Sequence, residues 1–155
     1  MAEFARAPLP EKCLFCDIVM GRERAWVVYR DSYVMALLDP YPVTRGHTLI
    51  IPIRHYESMF DIPDQLLRRI ISLSKGLCKA YETTLEIQGV SIEVLNHRVK
   101  TPFYRHFHLH VIPRYNKRDK RDPANVRPGQ RFPKETVANL DRTLARIRVE
   151  LPGKG

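Results

Sequence analysis

The chain has 155 residues, 44% of them apolar and 28% charged, with 26 Lys and Arg against 17 Asp and Glu for a formal charge of +9. That length suits one domain able to bury its own core, and the composition excludes disordered and fibrous classes. The charge favours polyanions, phosphates or acidic lipid headgroups as partners. The longest uncharged apolar runs, Tyr33 to Leu38 and Thr48 to Ile53, fall far short of the ~20 residues that span a bilayer.

Residues 1–12 carry Glu3, Arg6, Glu11 and Lys12 with no apolar stretch of signal-peptide type, so the expected address is the cytoplasm. The prolines of Ala7-Pro8-Leu9-Pro10 bias the residues before them away from helix and predict an extended N-terminal arm. From Cys13 to Met20, Leu14, Phe15, Ile18 and Val19 form one short helical stripe ended by Gly21. Trp26 to Arg30 and Tyr33 to Leu38, joined by the turn signal Asp31-Ser32, read as a hairpin. Asp39-Pro40-Tyr41-Pro42 breaks the pairing, and a third strand, His47 to Pro52, follows Gly46.

The clearest helix is expected to start at Asp61 as N-cap, with Pro63 and Asp64 in its first turn. Leu66, Leu67, Ile70, Ile71, Leu73, Ser74, Leu77, Cys78, Tyr81 and Leu85 recur at three- and four-residue steps, which gives one buried face over about six turns, closed by Gly89. Val90, Ile92 and Val94 alternate with Ser91 and Glu93 as a half-buried strand does. After a loop from Asn96, His106 to Ile112 reads as the fifth strand, ended by Pro113. Arg114 to Phe132 is basic, rich in turn formers and poor in apolar residues, which predicts an irregular surface segment. Val137, Leu140, Leu144, Ile147 and Leu151 make a last amphipathic helix. The expected class is α+β: a five-stranded, mostly antiparallel sheet with one long helix and a C-terminal helix.

Half of the six histidines stand in His106-Phe107-His108-Leu109-His110. Alternation in a strand puts the three imidazoles on one face and sends Phe107, Leu109 and Val111 into the core. Such a patch of groups titrating near pH ~6.5 suits a metal seat, a histidine nucleophile with orienting neighbours, or a packed polar face. Cys13 and Cys16, spaced C-x-x-C, suit a metal clip or a redox pair in a reducing compartment. Cys78, on the apolar face of the long helix, is most simply a small buried hydrophobe.

The run His106 to Pro113-Arg114 resembles the signature of the histidine triad (HIT) superfamily of nucleotide hydrolases and transferases. Cys13 to Gly21 is similar to that family's opening, and Leu37-Leu38-Asp39 with Gly46 to Pro52 and His55 to its central hairpin. The resemblance covers about Cys13 to Tyr115, so the expected layout is an arm (1–12), a HIT domain (13–115), and a basic flap with a C-terminal helix packed on the same domain (116–155). It implies His108 as nucleophile on the α-phosphorus and His110 as the group that contacts phosphate oxygens. It implies Asp39 at the ribose hydroxyls, Leu14, Phe15, Ile18 and Leu37 around a purine base, and Asn96 on the phosphate side. It further implies a structural zinc on Cys13, Cys16, His55 and His106, and a homodimer through the long helix and an edge strand. The separations, 39 residues from Cys16 to His55 and 51 more to His106, match no zinc finger, so the zinc rests on the resemblance alone.

One departure stands out. Where the family carries Gly-Gln-x-Val-x-His, this chain has Thr101-Pro102-Phe103-Tyr104-Arg105-His106. Pro102 has no N–H to offer, so either Arg98, Lys100, Tyr104 or Arg105 supplies the missing contact or the leaving-group side of the substrate differs; strand parity favours Tyr104, on the histidine face. Three functions follow: a nucleotidyl hydrolase or transferase acting on phosphoramidates, dinucleoside polyphosphates or adenylylated substrates; a zinc-stabilised nucleotide-binding or interaction module with little catalysis; and an enzyme processing 5'-adenylylated nucleic acid. The last is disfavoured because no separate DNA-binding unit is expected in 155 residues. Residues 1–113 hold 14 basic and 12 acidic side chains whereas 114–155 hold 12 and 5. The excess charge therefore falls after the triad, and Arg114 to Arg131 is expected to be a basic flap near the nucleotide site.

Overall fold

The computed structural model describes residues 13–96, 105–116 and 134–150. The N-terminal arm, Tyr104 and most of the basic segment lie outside them. In chain order the elements are α1 (Leu14–Val19), β1 (Trp26–Arg30), β2 (Val34–Leu38), β3 (Thr48–Pro52), α2 (Asp64–Thr84), β4 (Gly89–Val94), β5 (Leu109–Arg114) and α3 (Val137–Glu150). The strands form one sheet in the order β1-β2-β3-β5-β4, every pairing antiparallel. The expected five-stranded α+β architecture is the one observed.

Strand alternation divides the core in two. Val34, Ala36 and Leu38 of β2, Ile50 of β3, and Leu109 and Val111 of β5 face Ile70, Leu77 and Tyr81 of α2 and Leu140 and Ile147 of α3. On the opposite face, Met35, Leu37, Leu49 and Ile51 pack against Cys13, Phe15, Cys16 and Ile18 of the α1 segment. The predicted hairpin is present, with Asp31 closing the turn by accepting from the Tyr33 and Val34 amides at 2.7 and 2.8 Å. Thr48 and Tyr81 share a buried hydroxyl hydrogen bond that ties β3 to α2.

Several boundaries differ from the sequence expectation for local reasons. The α2 helix starts at Asp64, with Pro63 as N-cap at ψ 142°, because a residue before proline is held out of the helical region. Asp61 instead accepts from Ser58 Oγ at 2.7 Å. The helix ends at Thr84; Glu86, at φ +54°, is the left-handed residue, and Gly89 opens β4. Ile92, between the packed Val90 and Val94, stays 47% exposed on this edge strand. The last strand begins at Leu109 and runs through Pro113 to Arg114. Proline is tolerated there because the β3–β5 ladder stops at Thr48↔Val111, and the Pro113 carbonyl accepts from Thr44 Oγ1 at 2.6 Å. No helix among the described residues is long and apolar enough to cross a membrane.

Candidate functional site

The triad histidines are buried on the α1 side of the sheet, although His106 and His108 precede β5. Burial of Phe107, Leu109 and Val111 in the opposite core shows that the predicted alternation holds through the whole run. Phe15 stands against both His106 and His108, its ring centroid 5.6 and 5.3 Å from theirs. The ring of His108 lies 5.0 Å from that of His110.

A chain of hydrogen bonds assigns the tautomers. His108 Nδ1 lies 2.7 Å from the His106 carbonyl, an acceptor only, so Nδ1 carries the proton and Nε2 carries the lone pair. The Val43 amide donates to His47 Nδ1 at 3.1 Å, which leaves the proton of neutral His47 on Nε2. That N–H meets His110 Nδ1 at 2.9 Å, so neutral His110 presents its own proton at Nε2. Burial, with Arg114 and His108 adding to it, pushes His47 down to about 3, so it acts as a neutral donor. Its Nδ1 lies 3.7 Å from Asp39 Oδ2 without forming an ion pair. Asp39, His47 and His110 place three possible metal ligands close together, but the bonded His47–His110 pair makes them an orienting chain rather than a seat for an ion.

His47, to which the sequence motif assigned no role, joins the triad through its bond to His110. Thr48 turns its hydroxyl toward α2, so alternation places His47 and Leu49 on the triad face, and Leu49 pairs with His110. The signal was available in the position of a histidine directly before a strand that neighbours the triad strand.

Asp39 follows β2 and accepts from the Tyr41 amide at 2.8 Å. Desolvation outweighs that bond and pushes its carboxyl up to about 6. Of the four residues predicted around a base, Phe15, Ile18 and Leu37 are buried in the α1-side core, while Leu14 is 42% exposed. Asn96 lies apart from the triad's hydrogen-bond chain, its Oδ1 accepting from the Met59 amide at 3.0 Å. Tyr104 and Pro102 fall outside the described residues.

The second constellation adjoins the first. Cys13 Sγ is 3.4 Å from His106 Nδ1, and Cys16 Sγ is 3.4 Å from His55 Nδ1 and 3.6 Å from His106 Nδ1. A tetrahedral zinc with its usual bond lengths sets sulfur and nitrogen ligands about 3.6 Å apart. The orientation fits as well. His106 Nε2 lies 3.0 Å from the Pro52 carbonyl, which places the proton there and turns the Nδ1 lone pair to the sulfurs, as outer partners do at metal sites. Burial, then the neighbouring Cys13 thiol, pushes Cys16 up to about 12, so a Cys16 thiolate at this spot needs a cation beside it. Burial also lowers His55, favouring the neutral, ligating form. α1 brings in the cysteines, the segment after β3 brings His55, and the approach to β5 brings His106.

The HIT domain family model matches residues 21–117. The chain belongs to the HIT family. An uncharacterized HIT-like protein of Methanocaldococcus jannaschii is 42% identical over 105 residues, 66% of this chain and 79% of that protein. Among solved structures, a zinc-bound histidine triad family protein of Mycobacterium smegmatis superposes with a TM-score of 0.73 at 28% identity, over 90% of this chain and 92% of that one. A histidine triad nucleotide-binding protein of Candida albicans gives a TM-score of 0.61 at 29% identity, over 68% and 77%. A HIT family hydrolase of Legionella pneumophila gives 0.60 at 31%, over 74% and 100%. This HIT protein thus has a nucleotide-binding protein and a hydrolase among its structural neighbours.

Proposed function

We propose that this HIT protein is a nucleotidyl hydrolase or transferase that cleaves at the α-phosphate of nucleoside 5'-phosphate derivatives through His108. The observation that carries the reading is the 2.7 Å bond from His108 Nδ1 to the His106 carbonyl, which leaves the nucleophilic pair on Nε2. That pair attacks the α-phosphorus, the P–N bond forms as the bond to the amine or phosphate leaving group breaks, and the leaving group takes up a proton. Water then attacks the phosphorus, releases the nucleoside monophosphate and restores His108. The Nε2–H of His110, fixed by His47, donates to the phosphate oxygens where charge develops. Asp39 accepts from the ribose hydroxyls, and the apolar surface of Phe15, Ile18, Leu37 and Leu14 receives a purine. Tyr104 replaces the family's glutamine contact at the leaving-group side.

Zinc on Cys13, Cys16, His55 and His106 is part of the same reading, supported by the ligand spacing and by the zinc-bound neighbour. Such an ion ties α1, the segment after β3 and the triad together and supplies no step of the reaction. The exposed Ile71 and Ile92 and the outer edge of β4 favour a homodimer through α2 and β4, and a cytoplasmic location is part of the proposal. A hydrolysis panel of adenosine 5'-phosphoramidate against diadenosine polyphosphates, with metal analysis alongside, tests the reading. Turnover of at least one substrate, abolished by His108→Gly, is the expected result. Binding without turnover of any substrate would make the protein a nucleotide-binding module instead.

A further inference from the structure

The family match ends at residue 117, yet the chain returns to the site after it. The Glu135 amide donates to the Pro40 carbonyl at 2.8 Å, and Lys134 Nζ lies 6.0 Å from the centre of the Tyr41 ring. These contacts fall on the two residues that follow Asp39. Asp39, His47, Glu135, Leu140 and Thr143 line one small cavity, so Asp39 and the start of α3 border the same space.

The turn depends on such outside support. Pro40 and Pro42 carry no N–H, so the turn has few donors of its own: Asp39 N reaches the His47 carbonyl at 2.9 Å and Tyr41 N reaches the Asp39 carboxylate at 2.8 Å. The supporting segment is stiff. Thr136 Oγ1 accepts from Asn139 N at 3.2 Å, and Glu135 Oε1 accepts from Thr136 N and Asn139 Nδ2 at 2.8 and 2.7 Å, which together cap α3. Trp26 Nε1 donates to Asp141 at 2.8 Å, and buried Leu140 and Ile147 join α3 to the core. A rigid strut therefore runs from β1 to the backbone beside Asp39.

We propose that the segment entering α3, through the Glu135 amide, positions Asp39 and so sets how strongly the site selects a nucleotide by its sugar hydroxyls. The inference rests on the nucleotide reading above, with Asp39 at the ribose. Its ligand chemistry is a ribonucleotide as opposed to one lacking the 2' and 3' hydroxyls. Hydrogen bonds to a charged acceptor separate such ligands by about tenfold or more, and that separation is lost when the carboxylate is displaced by a fraction of a hydrogen-bond length.

The test is the ratio of dissociation constants for AMP and 2',3'-dideoxy-AMP, measured by calorimetry on the full chain. Wild type favours AMP by about tenfold or more, and Asp39→Ala reduces the ratio to near one. Glu135→Pro, which deletes the N–H, should bring it to within about threefold of Asp39→Ala, with no further loss in the double variant, since coupled sites are non-additive. Glu135→Ala keeps the amide but gives up the side-chain cap, so it should lower the ratio less than Glu135→Pro. Ile147→Val, in the core at the far end of α3, lowers the melting temperature and leaves the ratio unchanged. A wild-type ratio in Glu135→Pro, or an equal loss in Glu135→Ala or Ile147→Val, overturns the proposal. A wild-type ratio in Asp39→Ala removes the sugar role of Asp39 and the proposal with it, while AMP binding still upholds the nucleotide reading. Failure of wild type to bind AMP defeats both.

Discussion

Replacing Asp39 with Asn should make the protein more stable at neutral pH. Desolvation pushes the carboxyl up from 3.8 to about 6 in the folded chain. A folded value above the unfolded one means that the proton is held more tightly by the native state. The associated stability is fully present below pH ~3.8 and is lost as pH rises through about 6. The loss is bounded at about 3 kcal/mol, from roughly two pKa units at 1.36 kcal/mol each, and the 18% exposure of the side chain lowers it toward 1–2. Asn keeps an oxygen for the Tyr41 amide and carries no charge. Urea unfolding of Asp39→Asn against wild type at pH 7.5 should therefore show a gain of about 1–3 kcal/mol that falls to about 1 or less at pH 4.5. Equal or lower stability of the variant at pH 7.5, or a difference that does not change with pH, would refute the reasoning. A confirmed gain would mean that the site keeps an ionised carboxylate against the interest of the fold, as expected of a group that serves a ligand.

Three other expectations are open to direct test. His47→Leu removes the N–H that fixes the tautomer of His110. It should lower kcat about 10–100-fold with little change in KM, somewhat less than loss of a direct charge-stabilising donor; because burial holds His47 down to about 3, the wild-type pH–rate profile between 5 and 8 should show no limb that this variant removes. The metal centre should give about one zinc per chain in the purified protein by elemental analysis. Cys16→Ala or chelation should lower the melting temperature sharply, and retention should fall with acidification as ligands take up protons; a Cys16→Ala variant as stable and as zinc-loaded as wild type would contradict the assignment. Gly46 has φ +87°, and a Cβ there would lie 2.6 Å from Leu85 Cδ1 and 3.2 Å from Pro113 Cγ. Gly46→Ala should therefore destabilise by about 1–3 kcal/mol in denaturant unfolding.

Much of this architecture can be read from residue periodicity. The hairpin, the long amphipathic helix and the shared face of the three histidines follow from local alternation, and the structure agrees at each. The misplaced boundaries are those where a local rule met a competing one. Asp61 looked like an N-cap, but Pro63 kept the preceding residue out of the helix; Gly89 looked like a helix end, but the left-handed position fell to Glu86. The site was less legible because its decisive relations are long-range. Nothing in the spacing of Cys16, His55 and His106 announces that their ligand atoms meet within 4.8 Å, since three separate elements carry them. His47 matters through sheet register and a tautomer chain, neither of which is a local property. The support of Asp39 by α3 joins residues 95 positions apart, Pro40 and Glu135, and has no motif at all.

The central claim is that His108 forms a covalent bond to the substrate's phosphorus. Rapid quench of the protein with adenosine 5'-phosphoramidate labelled at phosphorus, followed by peptide mapping under alkaline conditions, measures it most directly. An acid-labile, base-stable label should appear before product, map to the peptide containing His108, and be absent in His108→Gly. Turnover with no labelled protein at any time, or a label that persists in His108→Gly, would contradict it.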